Sequence, residues 1–258
     1  MNAARSDEGR WFEPGRPGSA WFERAEAHVW RFALRGALEA WPAWLAALTT
    51  EERAEVMRYQ RGEDRERALI SRGARRQLVA EACGCAPADV AFALGPHGKP
   101  ECRPRAGAAL GRTVEFNVAH SGAWVVVALS KEGAVGVDVE QHREVDEARL
   151  VDACFSAGEA AAWRALAAER RTAGFYALWT RKEAYVKATG AGLGKPLDRF
   201  SVTADPSETA KVRVEDEDDP AAAERWTFWP VPMDAAHSAA LVTEGNVTSI
   251  GRWDWPAA

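Results

Sequence analysis

No apolar run in the 258-residue sequence approaches the roughly 20 residues needed to span a bilayer. Residues 1–20 are polar and punctuated by glycine and proline, without the charged-then-apolar layout of a secretory leader. Cysteine is scarce: Cys83, Cys85, Cys102 and Cys154 form no CxxC and no Cys/His zinc pattern, and Cys83 and Cys85 are too close for an easy disulfide. These absences argue for a cytoplasmic protein with reduced thiols and against a membrane or disulfide-framework class. Arg58, Arg61, Arg65, Arg67, Arg72, Arg75 and Arg76 crowd one region, but the net charge is −5 and no nucleic-acid reading motif accompanies them. A nucleic-acid partner is therefore not expected. At 47% hydrophobic residues, the chain has enough apolar material for one large domain or two small ones.

What is present is charge in apolar surroundings. The run 123–129 is apolar throughout, the turn Lys131-Glu132-Gly133 follows, and Gly136-Val137-Asp138-Val139-Glu140 comes next. That pattern reads as a β-hairpin whose second strand begins near Ala134. Residues two apart on a strand share a face, so Asp138 and Glu140 point the same way, roughly 7 Å apart at Cα, with Val137 and Val139 opposite. Two adjacent carboxylates repel unless something neutralises them. A hard divalent cation does so, and Mg²⁺ takes one or two protein carboxylates plus phosphate oxygens. A solvated edge-strand pair is the other reading of Asp-x-Glu.

About forty residues later comes Trp179-Thr-Arg-Lys-Glu-Ala-Tyr-Val-Lys187. Thr172 as N-cap and Gly190 with Gly192 as stop predict a helix over 173–189, with Phe175, Leu178, Trp179 and Val186 as its buried stripe. Glu183 and Lys187 then lie one turn apart on one face. Alone this is an ordinary surface ion pair. Beside Asp138 and Glu140 it offers a third carboxylate and a cation for phosphate charge. Phe116-Asn-Val-Ala-His-Ser-Gly122 reads as a short strand ending in a polar turn, where His120 could meet a phosphate and Ser121 and Gly122 allow close backbone approach. Gly98-Lys99-Pro100 is a further loop offering a lysine.

In this order and spacing, these four stretches resemble the signature set of the 4′-phosphopantetheinyl transferases of the surfactin-synthetase (Sfp) type. The resemblance runs from about Leu48 to Val242, and Ala119 departs from it where the family often has serine. It implies an enzyme of the holo-acyl-carrier-protein synthase kind. Such enzymes move the 4′-phosphopantetheine arm of coenzyme A onto a serine of an acyl or peptidyl carrier protein and release adenosine 3′,5′-bisphosphate. Carried over, Asp138, Glu140 and Glu183 are expected to hold Mg²⁺ (or Mn²⁺), and Asp138, Glu183 and Lys187 to be catalytic. Glu183 would help deprotonate the serine and Lys187 would neutralise the leaving phosphate. Lys99, His120, Ser121, Lys182 and Lys187 are expected on the coenzyme A phosphates, and Arg61 and Arg76 on its 3′-phosphate. Most of the other arginines read as a solvated face balanced by Glu51, Glu52, Glu55, Glu63 and Glu66. The loop 190–197 is a candidate docking patch for an acidic carrier or, equally, a glycine-rich connector.

The strand signals fall at 28–34, 90–93, 114–118, 123–129, 134–140, 200–203, 211–214, 226–231 and 239–243. Helices are expected at 50–59, 64–83, 156–170 and 173–189, with Thr49/Glu52 and Ser156/Glu159 as capping boxes and Asp64 able to cap the second helix. The acidic run 215–219 reads as a solvated hairpin turn, and the twelve tryptophans as core packing. This is an α+β chain with mostly antiparallel sheets. The polar, glycine- and proline-punctuated start reads as a disordered extension over 1–24; the resemblance adds two similar subdomains in a pseudo-twofold arrangement, an N-terminal unit over 25–133 and a C-terminal unit over 134–258, and the chain is expected to act as a monomer. Two other readings remain open: another Mg²⁺-dependent phosphoester enzyme, and a coenzyme A-binding protein without catalysis.

Overall fold

The computed structural model describes residues 19–34, 40–95, 97–104, 113–209 and 212–255. In chain order the elements are β1 (Ala27–Ala33), α1 (Trp41–Ala47), α2 (Thr50–Arg58), α3 (Gly62–Cys83), β2 (Val90–Leu94), β3 (Pro100–Pro104), β4 (Glu115–Ser121), β5 (Trp124–Ser130) and β6 (Val135–Gln141). They continue as α4 (Glu147–Cys154), α5 (Ala157–Ala165), α6 (Arg171–Thr189), β7 (Phe200–Val202), β8 (Val214–Asp216), α7 (Ala222–Arg225), β9 (Trp226–Pro230), β10 (His237–Glu244) and β11 (Ile250–Asp254). The fold is α+β. One sheet runs β11-β1-β5-β4, a second β6-β10-β9, and two hairpins pair β2 with β3 and β7 with β8. Among these pairings only β1 with β11 is parallel.

Burial explains the strand patterns. β5 is apolar from Trp124 to Leu129 because both its faces are covered: Val125, Val127 and Leu129 join the core under α3, while Val126 and Ala128 face the second sheet. β6 divides in the same way. Val135, Val137 and Val139 meet Val126, Ala128 and Leu241 between the sheets, and the opposite face, carrying Gly136 and Asp138, lies under α6. The capping boxes at Thr49/Glu52 and Ser156/Glu159 form as expected.

Several expectations are corrected. The extension was placed over 1–24, but Ser19–Arg24 is a 3-10 helix whose Trp21 and Phe22 are buried; residues 1–18 lie outside the described residues. The carboxy-terminal strand does not stay with the C-terminal unit: β11 pairs with β1 and carries Trp253 to within 5.5 Å, ring to ring, of Trp30. The expected helix over 156–170 ends at Ala165 and gives way to a 3-10 turn at Ala168–Arg170, so α6 follows directly and Thr172 caps nothing. Asp64 likewise sits inside α3, whose N-cap is Arg61. The acidic run is not wholly solvated either. Asp216 is buried and takes a hydrogen bond from the Tyr185 hydroxyl at 2.6 Å and an ion pair from Lys195 at 2.9 Å. Of the expected strand over 211–214, residue 211 is outside the described residues and β8 begins at Val214.

His28 marks the seam between the chain ends. Its Nε2–H faces the Phe22 and Ala25 carbonyls at 3.0 and 3.2 Å, and its Nδ1 accepts from the Trp253 indole at 3.0 Å. That bonding needs a neutral ring, and burial pulls its pKa from 6.5 to about 4. The unfolded chain therefore binds the proton first, so the stability this site contributes is present above pH 6.5 and is lost as pH falls towards 4. The full loss is roughly 3 kcal/mol at 1.36 kcal/mol per pH unit. Urea titrations at pH 7 and pH 4.5 should show His28→Gln less acid-sensitive than the parent.

Candidate active site

The site begins with a missing side chain. A Cβ on Gly136 would run into the Ala184 carbonyl and the Ala188 amide, and would stand 2.9 Å from the Ala188 Cα. Without it, α6 lies directly on β6. Ala184 and Ala188 form the contact row, and Glu183 and Lys187, each one residue earlier, form the next row, beside Asp138 two positions along the strand.

Lys187 Nζ donates to Asp138 Oδ1 at 2.6 Å. Asp138 is 3% exposed, and its Oδ2 is buried without a hydrogen-bond partner. Burial drives its carboxyl up to about 7; Lys187 opposes the rise, while the charges of Glu140 and Glu183 add to it. A carboxylate so placed calls for more positive charge than one lysine brings. Glu140 accepts from the Ser121 hydroxyl at 2.8 Å, and Ser121 Oγ in turn accepts from the Gln141 backbone amide at 3.0 Å. Asn117 Oδ1 accepts from the Val137 amide at 2.9 Å. Thus two side chains of β4 satisfy edge amides of β6 and bind the two sheets side by side.

A cavity of about 370 Å³ opens over this surface, lined by Glu183, Lys187, Lys99, Asn117, Lys195 and His97 among others. Lys99 Nζ reaches across from the β2–β3 turn to the Val135 and Ala188 carbonyls at 3.2 and 3.3 Å, with Glu115 at 3.6 Å. Burial lowers its pKa and Glu115 resists. The loop 190–197 forms one rim, where Gly192, at φ +64°, lies against the His97 carbonyl. Three lysines and one glutamate round a cleft of this size suit a polyanion.

The expected site residues divide. Asp138, Glu140, Glu183, Lys187 and Lys99 come together. His120 is exposed at the end of β4, yet crowded enough that desolvation, then Arg67 and Lys187, lower its pKa. Arg61 is exposed at the start of α3. Ser121 does not present its hydroxyl to the cleft, because its one proton goes to Glu140; it orients a carboxylate. Arg76 is also corrected: it is buried, bonded to the Pro87 and Val90 carbonyls and to Glu52 at 2.7 Å, and stitches α3 to β2. Lys182 is fully enclosed and holds Glu159, not a pyrophosphate. Arg67 is the residue that sequence reasoning passed over: it donates to the Gly122 carbonyl at 3.0 Å and so places a guanidinium beside His120. Its only signal was membership of the arginine cluster.

Among the described residues no three His, Cys, Asp or Glu side chains gather into a preformed cage. The residues nonetheless fit a hard cation. All candidate donors are carboxylate oxygens, one of them buried and unpartnered, and Mg²⁺ needs only one or two from protein.

An α+β chain with a carboxylate-bearing strand under a Glu/Lys helix, opening on a lysine-lined cleft, has the charge arrangement that suits a phosphate ester. The comparisons make that class specific. Residues 134–242 match the 4′-phosphopantetheinyl transferase superfamily, and residues 35–132 match the N-terminal part of 4′-phosphopantetheinyl transferase. A relative from Synechocystis sp. is 40% identical over 159 residues, 61% of this chain and 63% of its own length. The alignment thus spans a little under two thirds of that relative. A 4′-phosphopantetheinyl transferase of Bacillus subtilis is 34% identical, over 61% of this chain and 67% of its own. The transferase psf-1 of Bacillus pumilus is 30% identical over 75% of this chain and 77% of its own. The chain belongs to the 4′-phosphopantetheinyl transferase superfamily. No helix among the described residues is long and apolar enough to cross a membrane.

Gly136→Ala should force α6 off β6. The expected result is a loss of about 1–3 kcal/mol in urea unfolding, the usual range for overpacking. Glu183 and Lys187 should move with the helix, so amide exchange along α6 should quicken in the same variant.

Proposed function

We propose that this protein transfers the 4′-phosphopantetheine arm of coenzyme A to a serine hydroxyl of an acyl or peptidyl carrier protein and releases adenosine 3′,5′-bisphosphate. The observation that carries this reading is the placing of Glu183 and Lys187 over the buried Asp138, at the floor of a lysine-lined cleft. In the reaction the serine oxygen forms a bond to the phosphorus next to the pantetheine arm. The P–O bond to the adenosine bisphosphate breaks, and the electron pair leaves on that oxygen.

Phosphoryl transfer asks the protein chiefly for alignment and charge neutralisation. We assign the diphosphate to His120 and Arg67, with Lys99 joining them through the proton that now meets Glu115 only at 3.6 Å, and the 3′-phosphate to Arg61, exposed at the start of α3. Glu183 faces the cleft and accepts the serine proton, directly or through water. Lys187 is part-exposed, so its ammonium can turn from Asp138 to the leaving bisphosphate. Asp138, Glu140 and Glu183 would hold Mg²⁺ or Mn²⁺, which supplies Lewis-acid neutralisation of the diphosphate. The loop 190–197 at the cavity rim is where a carrier would dock. The chain joins both units of the cleft, so we propose that it works as a monomer, in the cytoplasm.

Intact mass of an apo carrier protein incubated with this protein, coenzyme A and Mg²⁺ tests the reading. Loading adds one phosphopantetheine, about 340 Da, and EDTA should prevent it. Asp138→Asn keeps the shape and removes the charge. It should cut turnover by about 10²-fold or more while leaving the melting temperature unchanged or raised. An unchanged rate would remove Asp138 from the mechanism, and no mass gain across acyl, polyketide and peptidyl carriers would favour the non-catalytic coenzyme A-binding reading.

A further inference from the structure

The helical motif holds four charged side chains, Arg181, Lys182, Glu183 and Lys187, and the fold sends them in two directions. Glu183 and Lys187 line the cavity. Arg181 and Lys182 turn into the body of the C-terminal unit, 6% and 0% exposed.

Lys182 Nζ donates to Glu159 Oε1 at 2.7 Å, to Glu159 Oε2 at 2.6 Å and to the Phe200 carbonyl at 2.5 Å, with the Phe200 ring 4.2 Å away. An ammonium has three protons. All three are placed, so none remains for a phosphate. Glu159 is filled in turn: Oε1 accepts from the Val202 amide at 2.7 Å and Oε2 from the Ser156 amide at 2.9 Å. The pair therefore joins the N-terminus of α5, the middle of α6 and both ends of β7. Arg181 extends the same seam, donating to the carbonyls of Thr203, Asp205 and Glu208.

We propose that Lys182 and Glu159 are positioning residues: their enclosed ion pair pins one side of α6 to β7 and α5, and so sets where Glu183 and Lys187 stand over Asp138. The role assigned to those two residues rests on the transferase reading above. The pinning itself does not. β6 holds the helix at Ala184 and Ala188, and the buried pair holds it at Lys182. Two lines of attachment on different sides of one helix fix its rotation as well as its depth. A misplacement of about 1 Å at a reacting group costs roughly a hundredfold in rate.

Three variants of the full chain test this: Lys182→Met, Glu159→Gln, and the double variant. Each single change leaves one buried partner uncompensated, whereas the double change removes both charges together. Each single variant should melt lower and lose about tenfold to a hundredfold in kcat. Its KM and calorimetric Kd for coenzyme A should stay within about threefold of the parent, since no ligand contact is lost. The double variant should recover most of the melting temperature and most of kcat. A double variant that recovers its stability but keeps a coenzyme A KM about tenfold or more above the parent would assign Lys182 to the ligand and overturn the proposal. Single variants with parental stability and kcat would overturn it as well. If the parent loads no carrier and binds no coenzyme A, the transferase reading fails and the pinning is decided by amide exchange over α6. Faster exchange in the singles, slowed again in the double variant, supports it; exchange unchanged in the singles overturns it.

Discussion

Everything in the cleft depends on how closely α6 lies on β6. Helices pack on sheets about 10 Å away when ordinary side chains separate them. Here the backbones meet at Gly136, and that intimacy lets a strand carboxylate and a helix ammonium meet at 2.6 Å. It also buries Asp138, which gives the carboxyl its raised pKa and its unpartnered oxygen. The cost of holding such a group in the dark is borne by the rest of the unit: the apolar packing of Val135, Val137 and Val139 on one side, and the Lys182–Glu159 pair on the other.

The second constraint is the seam between the two sheets. They are separate sheets, yet β4 and β6 run side by side, joined by side chains where a continuous sheet would use backbone. Asn117 and Ser121, four residues apart on one strand, meet amides at Val137 and Gln141, four residues apart on the other. Lys99 closes the same edge at the Val135 carbonyl. At the far end, β11 crosses back to β1, so the N-terminal core is completed by residues from the end of the chain. The two sheets are thereby joined along one edge, and the chain end is tied to β1.

Much of this was legible in the sequence because it obeys local rules. Strand alternation placed Asp138 and Glu140, and helical spacing placed Glu183 above Lys187. The two capping boxes were readable as letter pairs. What was missed needed information from elsewhere in the chain. β3 begins and ends with proline and reads as a loop; only pairing with β2 makes it a strand. β11 carried a readable sign in Trp253 and Trp255 alternating about Asp254, but its partner lies some 220 residues away. α1 offered Pro42 at its first turn. Likewise Cys83 was compared with its neighbour Cys85, whereas the fold sets it 3.9 Å from Cys102.

The charged residues show why site assignment fails differently from fold assignment. Arg76 and Lys182 were chosen for their charge, and both are buried structural cations. Arg67 was left among the solvated arginines, and it stands beside His120. Spacing tells which face of a helix a residue shares, but not which face meets solvent when both sides carry charge. In α6 the hydrophobic pattern offers no help, because Arg181 and Lys182 occupy positions that would otherwise be apolar. A buried cation needs its full set of acceptors, and those acceptors, Glu159 and the carbonyls of β7 and the loop after it, are contributed by segments 18 or more residues distant. The test that separates a ligand-binding lysine from a structural one is therefore a count of protons against partners. By that count Lys182 is complete without a ligand, and Lys187, with one hydrogen bond to Asp138 and part of its surface open to the cleft, is not.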